Sequence, residues 1–550
     1  MRTVELRIPK CREPFVNTPL ISLGTRDDGM EWAWTSSWNS LSGCMGLEIS
    51  AAGDCRIHRF KPPHYGFYSA VCDGEDVLWL CGDLSRLVRY ELRTRRMDVF
   101  QTGAPQALVF QGMRLDPATG KICAMAYQGL DRGLCGFSFD TRARRPVKVF
   151  TGIRSCGKYM RFSFPNGDGT WSFVLHVSGE RLVRWDPETD EIEETIALSE
   201  DEDPDGRRGT TYFLISDGNN RWYVPYRGWY NPASGKIEGG PLPGQESTWF
   251  VRRGNTAFGF YWEGEAGSVV RWDISTGKCR EICRIADMVQ APILTADGRI
   301  IAVNLYGDFF RHDGATGVME VSKRFRNAVS VQPVDCVLRI DRRRLLGTPF
   351  ITQRFWELDL ASGKGFDCGR AAPGAGEILQ VQKIHGRIYM AAYTGGEIVE
   401  YDPAEHPHFP ENPRVVAKPL HAMRPVASCH DGRNLFCSFS KPYGQLGSVV
   451  VRYDTVTGGS AAADSPLPNQ QITSLVPASG AQLLLCGTTY HADCQSAEPA
   501  ERVCFLAALD ASTLKVRSRF PGPEGAAWIC VDGPVGGGRY LCRCPEIGRA

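Results

Sequence analysis

One phrase recurs along the chain and narrows what it can fold into. A run rich in Val, Leu, Phe, Trp and Tyr ends in an aromatic and an aspartate, and a turn around Gly or Lys follows. It reads RLVRWDPETDEIEE from Arg181, SVVRWDISTGKCRE from Ser268 and FFRHDGATGVMEV from Phe309. It continues as FWELDLASGKGFD from Phe355, EIVEYDPAEH from Glu397, SVVVRYDTVTGG from Ser448 and LAALDASTLKVRS from Leu506. Weaker copies start at Arg86, Cys135 and Trp229. About ten copies at spacings of about 35–55 residues mark a repeat architecture.

Each copy has a physical reading. The alternating run before Asp suits a half-buried strand. Asp bonds to the backbone ahead of it, Pro presets φ, and Gly accepts positive φ, so D-x-x-T-G is turn chemistry. Upstream of most copies stands another strand behind an Asp-Gly or related turn, as in TADGRIIAVNLY and HDGRNLFCSF, which signals a hairpin. The unit is therefore a four-stranded antiparallel meander: inner strand A, a DG turn, strand B, a variable loop, strand C, the D-x-x-T-G turn, then strand D.

One such sheet cannot bury both faces. Radial stacking solves this, which gives an all-β β-propeller; separate β-sandwiches are the alternative. The stretches MEWAWTSSWNSLSGCMGLEIS and GAAWICVDGPVGGGRYLCRC read as degenerate or partial units. About eleven or twelve units exceed the usual four to eight blades of one ring, so two tandem propellers are expected, at 1–330 and 331–550. The boundary is placed where RFRNAVSVQPVDCVLRIDRRR breaks the rhythm, with the possibility that strands from both chain ends close a ring.

Composition limits function. Lys plus Arg is 63 and Asp plus Glu is 62, a balance that argues against a whole-surface nucleic-acid or membrane binder. Many of the 20 cysteines lie inside apolar runs such as LWLCG and LLLCG, where they act as small hydrophobes. The N-terminal residues lack an apolar signal core, and no run of about 18 apolar residues is present. A cytoplasmic setting is the expectation. Neither cysteine nor histidine spacing gives a metal site: His406 and His408 in HPHFPENP read as a solvated loop. No cofactor is expected, since no P-loop, dinucleotide fingerprint or nucleophile elbow is visible.

The blades resemble the bacterial propellers with a Y-D-P-x-T-G-K turn, a group that includes quinoprotein-like, virginiamycin-lyase-like and lactonase-like members and is similar to propeller polysaccharide lyases. ELDLASGKGFDCGR, GEILQVQKIHGRIYMAAYTGGEIVEYDPA and KPYGQLGSVVVRYD carry the likeness. It implies the fold and leaves function open, because propellers host many activities. The vicinal cysteine pair that a quinone enzyme implies is missing from the chain, and no lactonase-type calcium ligand set can be assembled.

Ligands of such a fold are expected where the D–A and B–C loops gather, as function favours loops on a rigid scaffold. Predicted B strands end in Tyr127, Tyr226, Tyr261, Tyr306, Tyr393 and Tyr490, with His176 in the corresponding place once. Predicted A strands begin near Arg114, Arg161, Arg326 and Arg424. Reactive types adjoin at Tyr226–Arg227, at Tyr490–His491 and around His64 in PPHYGFY. A rim of Tyr, His and Arg suits an acidic oligo- or polysaccharide: Arg binds a carboxylate with two bonds and aromatic faces stack on sugar rings. The expected chemistry is β-elimination from a uronic acid, with Tyr226, His176, His491, Tyr490 or His64 as acid and base. Arg161, Arg227, Arg424, Tyr127, Tyr261, Tyr306 and Tyr393 are the expected substrate contacts. The alternatives are a non-catalytic propeller that binds a sugar or protein, and a metal-assisted hydrolase. For any single residue, a tyrosine packed against the next blade or a solvated arginine is the competing reading.

Overall fold

The computed structural model describes the chain except residues 1–14, 16–17, 38–42, 75, 83–85, 105–108, 128–133, 154–162, 177–179, 198–214, 217–220, 225–227, 232, 239–248, 264–265, 289, 326–332, 375, 479, 481, 537–538 and 545–550. The side chains of some strand residues, among them Tyr127 and His176, are also outside the description. The described residues divide between two compact units, one within Glu13–Gln332 and the other from Pro333 on.

The protein is an all-β propeller-type fold. Its described strands form eleven four-stranded antiparallel sheets and one two-stranded sheet. Every four-stranded sheet is a meander in which consecutive strands are neighbours. The C–D turns explain the repeated phrase. Asp313 Oδ1 accepts the N–H of Ala315 at 3.0 Å and of Thr316 at 2.7 Å. Asp359 and Asp510 do the same one and four sheets later. The turn closes when the N–H four residues after the aspartate returns to the aspartate carbonyl, as Gly317 does to Asp313 at 2.8 Å. That fourth residue has positive φ: +80° at Gly317 and +75° at Gly458. Three copies without glycine at that position place Arg95, Arg144 and Asp190 there, still at positive φ.

The unit within Glu13–Gln332 holds seven four-stranded sheets. Its first and last sheets meet. Ala33, Leu47 and Ile49 of the first share one buried core with Ile301, Val303 and Phe309 of the last. The segment leading into the first strand, Ile21–Thr25, crosses this joint: Phe15 N–H bonds to the Leu305 carbonyl at 2.7 Å and Leu20 N–H to that of Ala291 at 3.3 Å. Arg311 Nη1 donates to the Ala51 carbonyl at 2.9 Å across it. The ring thus closes by side-by-side packing of its ends. The MEWAW region, expected to be a degenerate or partial unit, belongs to a full four-stranded sheet. Its turn uses other chemistry, with Ser50 Oγ accepting the Asp54 N–H at 3.0 Å and Gly53 at φ +81°.

The unit from Pro333 on holds four four-stranded sheets and then the two-stranded one, Cys530–Gly536 with Arg539–Arg543. Its core alternates between sheets, as in the cluster joining Leu346 and Phe355 to Ile378, Ile388 and Val399. Of the 18 described cysteines nine are buried and none is in a disulfide; burial pushes the Cys123 and Cys486 thiols up to about 12.

Strand-centre glycines admit the large rings. A Cβ on Gly347 would lie 1.9 Å from the ring of Trp356, its cross-strand partner. Trp356 is buried, so it has nowhere to retreat. Gly347→Ala is expected to destabilise this unit by about 1–3 kcal/mol, read as a lower urea midpoint with unchanged slope.

Candidate functional site

In the unit from Pro333 on, the loops leading into inner strands and those joining second to third strands lie at one end of the sheets, as meander connectivity requires. Arg424 immediately precedes the inner strand Pro425–His430. Tyr393 follows Arg387–Ala392, and Tyr443 lies in the loop after Asn434–Ser440. Asp493 opens the short 3-10 turn Asp493–Gln495, beyond Leu483–Thr489. Glu377 stands just ahead of Ile378–Ile384.

These side chains converge. The Arg424 guanidinium carbon lies 3.8 Å from the Tyr393 ring centroid. Its Nε donates to Asp493 Oδ2 at 3.0 Å and its Nη2 to the Tyr443 hydroxyl at 3.0 Å. The two tyrosine hydroxyls are 2.8 Å apart. Arg424 Nη1 is 3.9 Å from Glu377 Oε2. The side chain of Arg424 is 22% exposed, against 9% for Asp493 and 8% for Glu377, so the cluster faces solvent through the arginine and the tyrosines. Burial works against the charge on Arg424, but Asp493, the two tyrosines and Glu377 outweigh it and hold the group charged.

Supporting contacts fix the loops. Ser440 exchanges bonds with Arg424, its N–H donating to the Arg424 carbonyl at 2.8 Å and its Oγ accepting the Arg424 N–H at 3.1 Å. Ser496 Oγ accepts the Gly444 N–H at 2.9 Å, tying two loops together. Gln353 Nε2 donates to the Tyr393 carbonyl. Gly376, at φ +136°, lets the chain pass so close that a Cβ there would sit 2.4 Å from that same carbonyl oxygen.

Asp335, on the inner strand Val334–Arg339, feels this cluster. Burial pushes its carboxyl from 3.8 up to about 6, with Arg424 pulling the other way. A carboxyl raised on folding binds its proton more tightly in the folded state. The stability of this unit should therefore fall as pH rises from 3.8 through about 6, then level off. Asp335→Asn should remove that slope in a series of urea midpoints against pH.

Of the residues expected at a rim, the structure brings Arg424 and Tyr393 together. Tyr490 and His491 share a loop with Asp493 and lie ring to ring, centroids 4.4 Å apart and half-buried. His64 is half-buried in the loop before Phe67–Cys72, 5.7 Å from the Phe67 ring; burial and then Arg86 lower its pKa. Other positions differ from the expectation. Tyr261 lies inside the strand Thr256–Glu263, packed against Ala257, Val270 and Trp272, with its hydroxyl 3.5 Å from Glu281 on the outermost strand. Tyr306 is 5% exposed in a tight turn, leaving no ring face for a ligand. Arg114 lies within Val109–Asp116, over the Phe164 ring at 5.8 Å, and burial lowers it to about 10. Tyr226, Arg227, Arg161 and Arg326, with the side chains of Tyr127 and His176, lie outside the described residues. Among the described residues no group of three His, Cys, Asp or Glu is placed to hold a metal ion. His408 instead lies 3.6 Å from Glu411, exposed in a loop.

The expectation missed Tyr443, Asp493 and Glu377. Tyr443 follows its strand by three residues rather than one, and Asp493 stands three past Tyr490. The same B–C position, read with allowance for loop length, would have found both.

A second polar cluster joins the first two sheets of the other unit. Glu48 receives Arg26 Nη1, Arg56 Nη1 at 3.0 Å and His58 Nε2 at 2.8 Å. His58 Nδ1 lies 2.9 Å from the Tyr90 hydroxyl. Glu48, His58 and Tyr90 are all buried, so the cluster serves the joint between sheets rather than a ligand.

No family model and no curated protein matches the chain. Solved structures do. Two structures of the extracellular domain of BT4673 from B. thetaiotaomicron align with 92% and 94% of this chain, and 77% and 78% of theirs, at 13% and 12% identity and TM-scores of 0.27 and 0.26. A chain of the mitotic checkpoint complex aligns with 49% of this chain and 75% of its own, at 11% identity and a TM-score of 0.27.

Proposed function

We propose that the protein is a carbohydrate-binding β-propeller of the bacterial Y-D-P-x-T-G-K type, with its ligand at the loop end of the sheets that follow Pro333. The observation that carries this reading is the convergence of Arg424, Tyr393 and Tyr443 on one half-open cluster. Phenol rings offer faces for a pyranose, and the hydroxyls, guanidinium and flanking carboxylates give a sugar both donors and acceptors. Calorimetric titration with neutral and acidic oligosaccharides tests it. Binding should appear in the wild type and fall at least about tenfold in Tyr393→Ala, the loss of one stacking contact of about 1.4 kcal/mol. If no saccharide of either class binds, the reading fails.

A second reading, β-elimination from a uronic-acid polymer, is favoured by the 3.0 Å contact between Arg424 and the Tyr443 hydroxyl. A cation beside a phenol favours the phenolate, so Tyr443 would take the C5 proton, and Tyr393 would return one to the leaving oxygen. Asp493 weighs against it, because Arg424 already has a carboxylate partner. Rising ultraviolet absorbance from an unsaturated uronate, lost in Tyr443→Phe with binding retained, supports elimination. Binding without any rise leaves the binding role alone.

A further inference from the structure

The loop end that carries Arg424 is rich in acceptors and short of donors. Asp335 is the second residue of the inner strand Val334–Arg339, and Gln471 opens the inner strand Gln471–Ala478. Gln471 pairs across to Thr489, so it stands at the foot of the loop that carries Asp493. Gln353 lies in the loop between Arg344–Pro349 and Arg354–Asp359. Its N–H donates to the Gly376 carbonyl at 2.8 Å, next to Glu377, and its Nε2 donates to the Tyr393 carbonyl. All three residues thus stand at the end of the sheets where Arg424 and the tyrosines converge.

Each of the three holds a buried oxygen that no donor of the described residues reaches: Asp335 Oδ2, Gln353 Oε1 and Gln471 Oε1. Gln353 is fully buried and Gln471 is 8% exposed. The Gln353 carboxamide cannot be turned over to cure this, because its Nε2 is already given to the Tyr393 carbonyl. Buried polar atoms are almost always bonded, so three open acceptors at one end of a unit point to a partner that brings donors.

The guanidinium at this end is already engaged. Arg424 Nε is on Asp493, Nη2 is on the Tyr443 hydroxyl and Nη1 faces Glu377 at 3.9 Å. Each of its nitrogens therefore faces an acceptor before any ligand arrives, which leaves a poor fork for an incoming carboxylate. Asp493 and Asp335 both lie in the field of this one cation. Burial pushes Asp335 up to about 6, so near pH 7 it is a carboxylate. A ligand with donors and positive charge complements this end, whereas an acidic one meets like charge.

We infer that the saccharide bound here carries a protonated amine, as an amino sugar does, and that Asp335 is the carboxylate that receives it. This rests on the saccharide-binding reading above and narrows it to basic sugars. An ammonium has three donors and no acceptor, the complement of the open oxygens. It is also attracted to phenol faces such as those of Tyr393 and Tyr443. Gln471, at the entrance of its strand, offers a further acceptor to a ring hydroxyl.

Calorimetric titration of the full chain tests this near pH 7, where an amine keeps most of its charge. Three trimers of equal length are compared: a glucosamine, its N-acetylated form and a uronic acid. The glucosamine trimer should bind at least about tenfold tighter than the N-acetylated one, a difference of about 1.4 kcal/mol, and the uronic acid more weakly than both. Asp335→Asn keeps the shape without the charge and should bring the first two affinities to within about threefold. Asp335→Glu keeps the charge and should retain the lead of the amine. The wild-type comparison decides the ligand class whether or not Asp335→Asn folds. Equal affinity for the amine and its N-acetylated form, or a preference for the uronic acid, overturns the inference and leaves the saccharide-binding reading standing. An undiminished amine preference in folded Asp335→Asn overturns it too. If none of the three binds, both readings fall together.

Discussion

Replacing Arg424 by alanine should lower the stability of the unit that follows Pro333 by about 3–5 kcal/mol, the cost of removing one partner from a buried ion pair. Asp493, 9% exposed, would lose the guanidinium that bonds to it at 3.0 Å. Tyr443 would lose its guanidinium donor, and Tyr393 the cation over its ring. Arg424→Lys separates these effects. It keeps a charge but not the planar fork that reaches Asp493 and Tyr443 together, so about half of the loss is expected to remain. In a double-mutant cycle, Arg424→Ala with Asp493→Ala should cost clearly less than the two single losses summed, since neither charge is then stranded. Urea unfolding of all four proteins gives the result. A loss below about 1 kcal/mol for Arg424→Ala would place the pair with solvent-screened surface bridges and remove the preorganisation on which the proposed binding role depends. Saccharide binding, measured under conditions where Arg424→Lys stays folded, should weaken with the same substitution, because the lysine cannot hold the Tyr443 hydroxyl in place.

The repeat was legible because its determinants are local. Asp313 bonds to amides two and three residues on and Gly317 closes the turn, so five consecutive residues suffice to declare it. The first sheet was legible only as a degenerate or partial unit, because Ser50 and Gly53 do the same work with other letters. The site was legible only in part. Arg424 and Tyr393 stand at fixed offsets from strand ends, so a positional rule finds them. Tyr443 and Asp493 sit deeper in loops of unequal length, and nothing local says that they reach the same point. The rule also overreached. Tyr261 falls inside its strand because Thr256–Glu263 runs two residues further, to Glu263, than the pattern suggests. Tyr306 is drawn into a turn whose amides bond to Asn304, at 3.0 Å from the Tyr306 N–H and 2.9 Å from that of Asp308. Convergence of loops from different sheets is set by how sheets stack, which is a property of the whole unit.

Glu48 carries the largest expected effect in the other unit. Its carboxylate, 1% exposed, takes charge-assisted bonds from Arg26, Arg56 and His58, and through His58 it reaches Tyr90 in the next sheet. Glu48→Gln keeps the shape but leaves the 13%-exposed Arg26 facing a neutral amide, with Asp76, 2.7 Å from its Nη2, left to balance it. A loss of about 3–5 kcal/mol is expected, with the midpoint of the seven-sheet unit moving and that of the other unit holding still. The pH dependence supplies a second reading. Burial alone would raise the Glu48 carboxyl, yet the His58 and Arg26 bonds bring it below its ordinary 4.5. A carboxyl depressed on folding stabilises fully above its unfolded value and loses that contribution as pH falls through the folded one. The wild-type unit should therefore weaken on acidification below 4.5 more steeply than Glu48→Gln, so that the two stability curves approach each other in acid. Curves that stay parallel down to the acid limit would mean that the carboxylate's charge is not what joins the first two sheets, and that the joint rests on the surrounding Trp34, Phe60 and Phe67 core instead.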